Sequence, residues 1–483
     1  MHAREARCRL AQMTAVFAAL LLSVQTLPAA TRTIETAGQM QQINEVIRSL
    51  AAAGGGQVCV AAGTYDVDEP ILLASNVTLR GDGPGTVLRP SDKFDRFLKD
   101  RDVYGTAADT AILFSPRGSY YGVINAKGAA GVRICDLAVE GNRENVRLAM
   151  GVMIADCEDV IVRGVRVQNC GHSGVAVLAS RDVTVSEVAS RFNHNGVLIQ
   201  GPRAATRNIT VTGCRIEDNR WSGVYVCGDG RGADVTRNGP ENVTIANNFV
   251  FRHMCDEGIK LFGAKDTIVT GNRVDYALEA TISVAYGHNC VVSQNICSHG
   301  DDGMNNKGNG GGIAYSGPAD GTPINAVIVG NICREGNNGI WSESFGRSPD
   351  GKVLTQGNVA ILGNICHDNV TVGLGQIQKS DLTCVGNVCV NNGHSTPEPG
   401  SPAADTMGLV VGGGTVRHVL LGIVASDTRE GTAKRMASGI ILRGCDQGII
   451  AGNYASGAKE QNIREQNPGK ALLKVGNVGE PLP

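Results

Sequence analysis

Three acidic residues recur at a nearly constant spacing in the middle of this 483-residue chain. Asp256, Glu279 and Asp301 are separated by intervals of 23 and 22 residues. If each interval is one coil of a stacked solenoid, the carboxylates lie above one another at the strand separation of about 4.8 Å. Like charges at that distance repel, so the column needs a bound cation, a shared proton or a chemical role.

Residues close to this column extend the predicted site. Glu257 and Asp302 directly follow two of the acids, and Lys260 lies on the outward side of its strand by the two-residue alternation of side chains. We therefore predict a catalytic set that consists of Asp256, Glu257, Lys260, Glu279, Asp301 and Asp302. Other coils carry rings or hydrogen-bonding groups nearby, and these are predicted to bind substrate: His194, Trp221, Tyr225, His299, Asn305 and Trp341.

Paired carboxyl groups are the chemical requirement for glycoside hydrolysis. Separations of about 6.5–9.5 Å suit inversion and about 5–5.5 Å suit retention of configuration. Asp256 and Glu279, one coil apart, would meet the short value, whereas Asp256 and Asp301, two coils apart, would lie about 9–10 Å from each other. Repulsion between the carboxylates would raise one pKa and supply a general acid. Hydrolysis of a polysaccharide is therefore the first hypothesis.

Two other hypotheses fit the same residues. Elimination on a uronic-acid polymer, or C5 epimerisation, would use clustered carboxylates to bind Ca²⁺, while a base removes the C5 proton. The candidate bases are Lys260, Arg220, His253 and His299. Alternatively, the chain is a non-catalytic carbohydrate-binding or surface solenoid, because Asp and Asn also cap backbone groups at turns.

The elements that must position these residues are repeats with a period near 23, clear from Val132 onward. Each repeat has short apolar strands that are separated by Asn or Gly turns, and equivalent residues would stack in ladders. The turns predict an asparagine ladder that consists of Asn248, Asn272, Asn295, Asn331, Asn364 and Asn387. The pattern predicts an all-β fold, a single-stranded right-handed parallel β-helix.

The N-terminal part adds a family resemblance. Ala37–Ala53 has helical spacing and ends at Gly54, and Gly63-Thr64-Tyr65 forms a turn into the repeats. With the ladder, this entry resembles that of the pectate-lyase-like right-handed β-helix superfamily over residues 38–477. The resemblance implies a short helix that caps the first coil, and a carbohydrate-active lyase, hydrolase or epimerase.

The acidic doublets Asp256-Glu257 and Asp301-Asp302 also resemble the paired aspartates of polygalacturonase-like hydrolases. However, the chain lacks the Asn-Thr-Asp, Gly-His-Gly and Arg-Ile-Lys phrases of those enzymes in successive coils, and it lacks the Arg-rich signature of pectate lyases. The resemblance therefore leaves the reaction open.

The predicted organisation has four parts. Residues 1–30 have a basic start, a short apolar run and small residues, as in an export signal. Residues 31–130 form the cap and first coils, residues 131–477 the repeats, and residues 478–483 a tail. Insertions are predicted after the Gly-Ile strand of several coils, all at one corner, where they would wall a groove: Gly228–Glu241, Lys307–Thr322, Ser344–Gln356 and His394–Thr406.

The composition limits the classes of partner that this chain is expected to bind. The formal net charge of −2 gives no reason to expect nucleic acid or an anionic membrane as a partner, so a polysaccharide is predicted. Cys297, Cys333, Cys366 and Cys389 replace aliphatic residues two positions after ladder asparagines, which predicts free, buried thiols. No Cys/His metal site is expected, and no cofactor other than Ca²⁺ for a lyase. The expected location is periplasmic or secreted, and the sequence does not determine the oligomeric state.

Overall fold

The computed structural model describes twelve ranges of the chain: 30–94, 121–146, 149–228, 239–300, 311–316, 324–342, 357–377, 380–393, 406–412, 416–431, 436–466 and 472–479. Within them, successive coils each add one strand to each of three parallel sheets, here named A, B and C in the order in which a coil visits them. The predicted right-handed parallel β-helix is confirmed.

Sheet A has 16 strands in the described ranges. They are β1 (Ala30–Ile34), β2 (Gly56–Val60), β5 (Val77–Gly81), β8 (Ala130–Cys135), β11 (Glu158–Arg163), β14 (Arg181–Ser186), β17 (Arg207–Thr212), β20 (Glu241–Ala246), β23 (Ile268–Thr270), β26 (Val291–Ser293), β29 (Ala326–Val329), β32 (Val359–Leu362), β35 (Ser380–Val385), β38 (Val416–Leu421), β41 (Asp446–Ala451) and β44 (Leu472–Val475).

Sheet B has 15 strands and sheet C has 14 in the same ranges. The strands of sheet B are β3 (Gly63–Val67), β6 (Thr86–Pro90), β9 (Ala138–Glu140), β12 (Arg166–Gln168), β15 (Ala189–Arg191), β18 (Arg215–Glu217), β21 (Phe249–His253), β24 (Arg273–Ala277), β27 (Ile296–Gly300), β30 (Ile332–Arg334), β33 (Ile365–His367), β36 (Val388–Val390), β39 (Val424–Ser426), β42 (Tyr454–Ser456) and β45 (Val478–Gly479). Those of sheet C are β4 (Ile71–Leu73), β7 (Gly122–Lys127), β10 (Met150–Ala155), β13 (Val175–Leu178), β16 (Val197–Gln200), β19 (Val224–Cys227), β22 (Ile259–Phe262), β25 (Ala280–Ala285), β28 (Gly311–Ser316), β31 (Asn338–Ser342), β34 (Val372–Ile377), β37 (Met407–Gly412), β40 (Ser438–Arg443) and β43 (Gln461–Gln466).

The core lies inside the coils and is built from stacked identical or similar residues. In sheet C, Val175, Val197, Val224, Ile259 and Ile282 are paired in register and fully buried. The predicted thiol column is also present in sheet B, from Cys297 to Cys389, with no exposed surface. None of the described cysteines forms a disulfide, as predicted, so burial of the core rather than covalent cross-linking stabilises the stack.

The predicted asparagine ladder occupies the corner between sheets A and B. Asn331 is representative: its backbone N–H donates to Asn364 Oδ1 at 2.9 Å, and its Nδ2 donates to the Val292 carbonyl at 2.9 Å. Its own Oδ1 accepts from the backbone N–H of Asn295 at 2.9 Å. The side-chain amides thus form hydrogen bonds with buried backbone groups at the turns of neighbouring coils. Each of these backbone groups would destabilise the fold if it were left without a hydrogen-bond partner.

The N-terminal cap is two helices rather than one. The predicted helix is interrupted at residues 41–42, so α1 spans Ala37–Met40 and α2 spans Ile43–Ala52. Thr36 caps α1 through the Gln39 N–H and forms a capping box with the Gln39 side chain. Ile43, Ile47 and Leu50 are buried against the first coil, so the cap covers the open end of the core. In the described ranges, no helix is long and apolar enough to cross a membrane.

The insertions lie at two corners, which corrects the prediction of one. Residues 228–241 and 344–356 connect sheet C to sheet A, as predicted. By contrast, residues 394–406 connect β36 of sheet B to β37 of sheet C. The predicted insertion Lys307–Thr322 contains β28, so one long connection precedes this strand and another follows it. Most insertion residues lie outside the described ranges. Sheet C is therefore flanked by long connections on both sides.

At the C-terminus, β45 extends pairing two residues into the predicted tail.

Replacing one ladder amide tests its contribution. Asn331→Ala removes hydrogen bonds of buried groups on both neighbouring coils, so the free energy of unfolding should fall by about 2–4 kcal/mol, at about 1–3 kcal/mol per unsatisfied buried group. Chemical denaturation followed by circular dichroism measures this. Asn325→Ala is the control, because Asn325 bonds to other asparagines in an exposed ladder and should cost about 1 kcal/mol or less. Equal losses for both variants would contradict a special role for the buried ladder.

Candidate functional site

A column of side chains follows the corner between sheets B and C. His172 and His194 stack edge to face with ring centroids 5.4 Å apart, and His194 contacts Trp221 in the same way at 5.6 Å. The next coils place Asp256 and Glu279 at the equivalent position, three residues before the inward strand residue. The structure thus brings Asp256 and Glu279 together in neighbouring coils. Asp301 and Asp302 lie outside the described ranges.

The acidic residues form a compact cluster. One carboxylate oxygen from each of Asp256, Glu257 and Glu279 lies within 4.8 Å of the others. Asp256 and Glu257 are buried, with 2 % and 6 % of their surface exposed, whereas Glu279 is exposed. The cluster is therefore a buried acidic pair beside an exposed carboxylate.

Lys260 lies in the middle of the buried pair. Its Nζ donates to Asp256 Oδ1 and to Glu257 Oε2, both at 2.8 Å, and Ser222 Oγ donates to Asp256 Oδ2 at 2.6 Å. The Lys260 ammonium is also 5.8 Å from the ring centroid of Tyr225 and 5.9 Å from that of Phe262. Such contacts compensate the buried negative charge.

The protons are distributed unequally over this cluster. Burial raises the pKa of Glu257 well above its usual range, and the hydrogen bond to Asp256 adds to the rise. Burial acts in the same direction on Asp256, but hydrogen bonds with Glu257, Lys260 and Ser222 and the charge of Lys260 hold its pKa below the usual value. Asp256 is therefore the ionised member of the pair and Glu257 the protonated one.

The predicted catalytic role of Lys260 does not fit these surroundings. Burial lowers the pKa of Lys260, but Glu257 and Asp256 raise it by more, so the net shift is upward. The side chain is an ammonium ion at neutral pH and has no lone pair with which to remove a proton. Of the two interpretations, charge compensation is supported.

A cavity of about 240 Å³ opens on the outer face of sheet C beside the cluster. Glu257, Lys260 and Glu279 line one side of it, while Asp256 lies behind them and does not line it. The far side carries Phe262 and Tyr286, whose rings pack edge to face with centroids 5.2 Å apart. The floor is formed by small residues of β25 and β28: Ala280, Ser283, Ala285, Ala314 and Ser316.

Sequence reasoning missed the two aromatic residues of this cavity. Phe262 is two positions after Lys260, so the alternation that placed Lys260 on the outer face also applies to Phe262. Tyr286 directly follows β25 in a left-handed conformation, with φ of 56°. That conformation is uncommon for a bulky residue and could not be read from the residue type.

Three predicted substrate-binding rings are placed differently. Tyr225 is only 5 % exposed, because it lies beneath the ammonium of Lys260, so its predicted exposure is wrong. Trp341 lies over Gly375 and packs against the apolar cluster that contains Val372 and Met407, three coils beyond Lys260. His299 lies in sheet B, where Nδ1 is 2.7 Å from Asp275 Oδ1 and its ring stacks on Tyr276.

The remaining predicted ligands lie beside the acids or outside the described ranges. Trp221 is half-buried in the coil before Asp256, and its backbone N–H donates to the His194 carbonyl at 2.7 Å. Burial lowers the pKa of His194 to about 4, so its ring is neutral at neutral pH. The candidate base His253 is 3 % exposed, and burial lowers its pKa to about 4. His253 is therefore a core residue.

The strand register corrects one repeat assignment. Ser283 pairs with Ala314, so the strand of this coil is Gly-Gly-Ile-Ala-Tyr-Ser at 311–316 and not the Gly-Met phrase that follows Asp302. Ala314 therefore takes the outward position predicted for Asn305, which lies outside the described ranges. The physical reason is burial: Ile313 and Tyr315 fill the core at alternate positions, each at most 2 % exposed.

Comparisons with known proteins agree with this architecture. The family model for a right handed beta helix region matches residues 150–233, within the regular coils. Together, the matched region and the three parallel sheets identify the chain as a right-handed parallel β-helix protein. The predicted resemblance to that superfamily is thus confirmed at the level of the fold. A search of curated proteins found no match to the sequence.

Several solved structures are similar over most of the chain. The mannuronan C-5 epimerase AlgE6 A-module of Azotobacter vinelandii is 14% identical, with a TM-score of 0.43, over 91% of this chain and 95% of that one. The catalytic unit of a GH87 alpha-1,3-glucanase of Streptomyces thermodiastaticus is 16% identical, with a TM-score of 0.45, over 90% and 70%. PfbA, a surface adhesin of Streptococcus pneumoniae, is 13% identical, with a TM-score of 0.41, over 91% and 89%. At these scores the likenesses do not indicate a shared activity.

Removing the ammonium tests the charge balance of the cluster. Lys260→Met should lower the free energy of unfolding by about 3–5 kcal/mol at pH 7, because an uncompensated charge stays buried. Asp256 has a lowered folded-state pKa, so its contribution is present above the unfolded value of about 3.9 and is lost as the pH falls through the folded value. The difference between wild type and variant should therefore shrink below about pH 4.

Denaturant titrations at pH 7 and pH 3.5 measure both effects. Lys265→Met is the matched control, since this lysine is 34 % exposed and pairs with Glu241 at 3.5 Å on the surface. Surface pairs contribute about 0–1 kcal/mol, so the control should change little. Similar losses in the two variants would show that the buried pair needs no compensation by Lys260.

Proposed function

We propose that this chain is an exported enzyme that hydrolyses a glycosidic bond of a polysaccharide in the cavity on sheet C. The observation that supports this most is the pairing of a buried Glu257, whose pKa is raised, with an exposed Glu279 in the wall of one cavity. A protonated and an ionisable carboxyl group at close range are what glycoside hydrolysis requires. Export rests on the predicted signal at residues 1–30.

In the proposed mechanism Glu257 is the general acid. Its proton moves to the glycosidic oxygen as the bond to the anomeric carbon breaks, and the leaving sugar departs as an alcohol. Glu279 attacks the anomeric carbon on the face of the sugar opposite the leaving group and forms a glycosyl ester. Water, deprotonated by the Glu257 carboxylate, then displaces Glu279 and releases the second product. The close approach of the carboxylate oxygens, which lie within 4.8 Å of one another, is the reason to propose a retaining rather than an inverting course.

Asp256 and Lys260 support the acid through their charges and hydrogen bonds. The ionised Asp256 beside Glu257 favours the protonated form of that carboxyl and so raises its pKa. Lys260 holds both carboxyl groups at 2.8 Å and prevents their repulsion from separating them. The pair would thus keep the acid protonated to a higher pH than an isolated glutamic acid.

The cavity suits a single sugar ring of a longer chain. Its volume of about 240 Å³ is below the range of about 300–1,000 Å³ that holds a drug-sized ligand. Phe262 and Tyr286 offer apolar contact to the C–H face of a pyranose, while Ser283 and Glu279 can hydrogen-bond to its hydroxyl groups.

Calcium-assisted elimination or epimerisation is supported less well. Three clustered carboxylates are a possible cation site, but Ca²⁺ takes six to eight oxygen ligands. Asp256 and Glu257 already bind the Lys260 ammonium, and one of them is protonated. The described residues therefore fit a calcium ion poorly.

Incubation with a panel of polysaccharides, with and without chelator, tests the proposed reaction. New reducing ends without products that absorb in the near ultraviolet are expected, at an unchanged rate in chelator. Glu257→Gln and Glu279→Gln should each lower kcat about 10²–10⁴-fold, because each removes an acid–base or nucleophilic group. The rate should also fall as the pH rises through the raised pKa of Glu257 and the acid loses its proton.

Glu335→Gln is the control, because this carboxylate is 44 % exposed and lies beside His299, directly after β30 of sheet B. It should retain wild-type turnover. Unsaturated products that disappear with chelator would overturn hydrolysis in favour of elimination. Binding of a polysaccharide that survives both glutamine substitutions, with no product from any substrate, would instead favour a non-catalytic solenoid.

A further inference from the structure

A buried hydroxyl group without a partner lies in the floor of the cavity on sheet C. Ser316 ends β28, is 1 % exposed and is one of the residues that line the cavity. In the described part of the chain, its Oγ makes no hydrogen bond. Most buried polar groups have a partner, and a group without one destabilises the fold. A ligand group that bonds to this hydroxyl would remove that cost.

The strand register places Ser316 at the aromatic end of the cavity. Ala285 pairs with Phe262 in the preceding coil and with Ser316 in the next, so the three residues form one outward column. The backbone N–H of Tyr286 donates to the Ser316 carbonyl at 3.0 Å, which holds the serine beside the tyrosine. Glu279, by contrast, precedes the first residue of β25. Ser316 and this acid therefore belong to opposite ends of the cavity.

A second serine hydroxyl lies diagonally across the floor. Ser283 pairs with Ala314, which is two residues before Ser316 in the neighbouring strand. Diagonal neighbours on one face of a sheet are about 7–8 Å apart. The other diagonal is occupied by Ala285 and Ala314, whose methyl groups form no hydrogen bonds. The floor therefore has one hydroxyl group on each side of a small apolar patch.

A pyranose ring matches the chemistry of this floor. The faces of the ring carry C–H groups and its hydroxyl groups project from opposite sides, so a ring on the two alanines can bond to both Ser283 and Ser316. A water molecule matches Ser316 less well, because an ordered buried water needs about two to four polar partners and the adjacent floor residues are alanines.

We propose that Ser316 is a specificity-determining residue and that its Oγ binds a ring hydroxyl group of the sugar in the cavity. This role rests on the proposed binding of a polysaccharide there. A site that hydrogen-bonds a substrate hydroxyl discriminates against an analogue that lacks it. Because Ser316 is buried, a larger group at that position of the sugar also fits poorly. The substrate class is therefore a polysaccharide with an unsubstituted hydroxyl group at that position, and deoxy or O-methylated sugars bind more weakly.

Affinity electrophoresis of the whole chain in gels that contain dextran, pullulan, laminarin or galactomannan tests the proposal. At least one of these neutral polysaccharides should retard the wild type. Ser316→Ala should weaken that binding about 3–10-fold, the range for one neutral hydrogen bond. The O-methylated form of the same polysaccharide should be bound no better by the wild type than by the variant. Where the polysaccharide is also hydrolysed, the variant should raise KM by the same factor and leave kcat unchanged.

Ser438→Ala is the matched control. Ser438 belongs to β40 of sheet C and is also 1 % exposed, and its Oγ likewise makes no hydrogen bond within the described ranges. It does not line the cavity, so the control should bind like the wild type. Both alanine variants remove an unsatisfied buried hydroxyl group, so neither should lower the thermal midpoint.

Equal retardation of the wild type and Ser316→Ala would overturn the role of Ser316, and so would a wild type that none of the polysaccharides retards. An equal loss of binding in Ser316→Ala and Ser438→Ala would also overturn it. Retardation that depends on Ser316 but yields no product would contradict the proposed hydrolysis and leave the role of Ser316 intact.

Discussion

Parallel pairing in register is the constraint on which the rest of this molecule depends. Each residue lies over its counterpart in the preceding coil, so the side-chain chemistry of a position is repeated along the axis of the helix. Apolar positions become a continuous core, and amides such as Asn331 become a hydrogen-bonded ladder. Insertions disturb neither the core nor the ladder, because they lie at the corners between sheets and not within strands. The same constraint gives the chain long uniform surfaces and places chemically demanding residues at fixed short distances.

The carboxylate cluster shows the difficulty that this constraint creates. Register alone would bring Asp256 and Glu279 within one strand separation, and Glu257 joins them from the same turn. The ammonium of Lys260 and a retained proton on Glu257 relieve the repulsion, and burial strengthens both effects. The proton on Glu257 therefore has two roles in this proposal. It reduces the repulsion within the cluster, and it is the proton that a general acid would transfer to the substrate.

The sequence was sufficient for properties that repeat and insufficient for those that occur once. The Asn ladder, the column of Cys297 and its counterparts, and the placement of Asp256 over Glu279 all follow from a constant period. The assignment failed where the period lengthened after Gly300, because a Gly-Met phrase and the Gly-Ile phrase of β28 both matched the pattern. Only packing of Ile313 and Tyr315 decides between them. Likewise, alternation shows that Tyr225 points outward but not that Lys260 covers it.

The buried thiol column has a consequence for how the solenoid moves. Cys333 and Cys366 are free thiols in neighbouring coils, although in-register neighbours stand about 4.8 Å apart, which is within the Cα separation that a disulfide spans. With no exposed surface, these sulfur atoms meet an external reagent only when adjacent coils part. The rate at which each buried thiol of this column is alkylated would therefore measure how often its own coil separates from its neighbours. A comparison of these rates along the axis would show where the stack opens first.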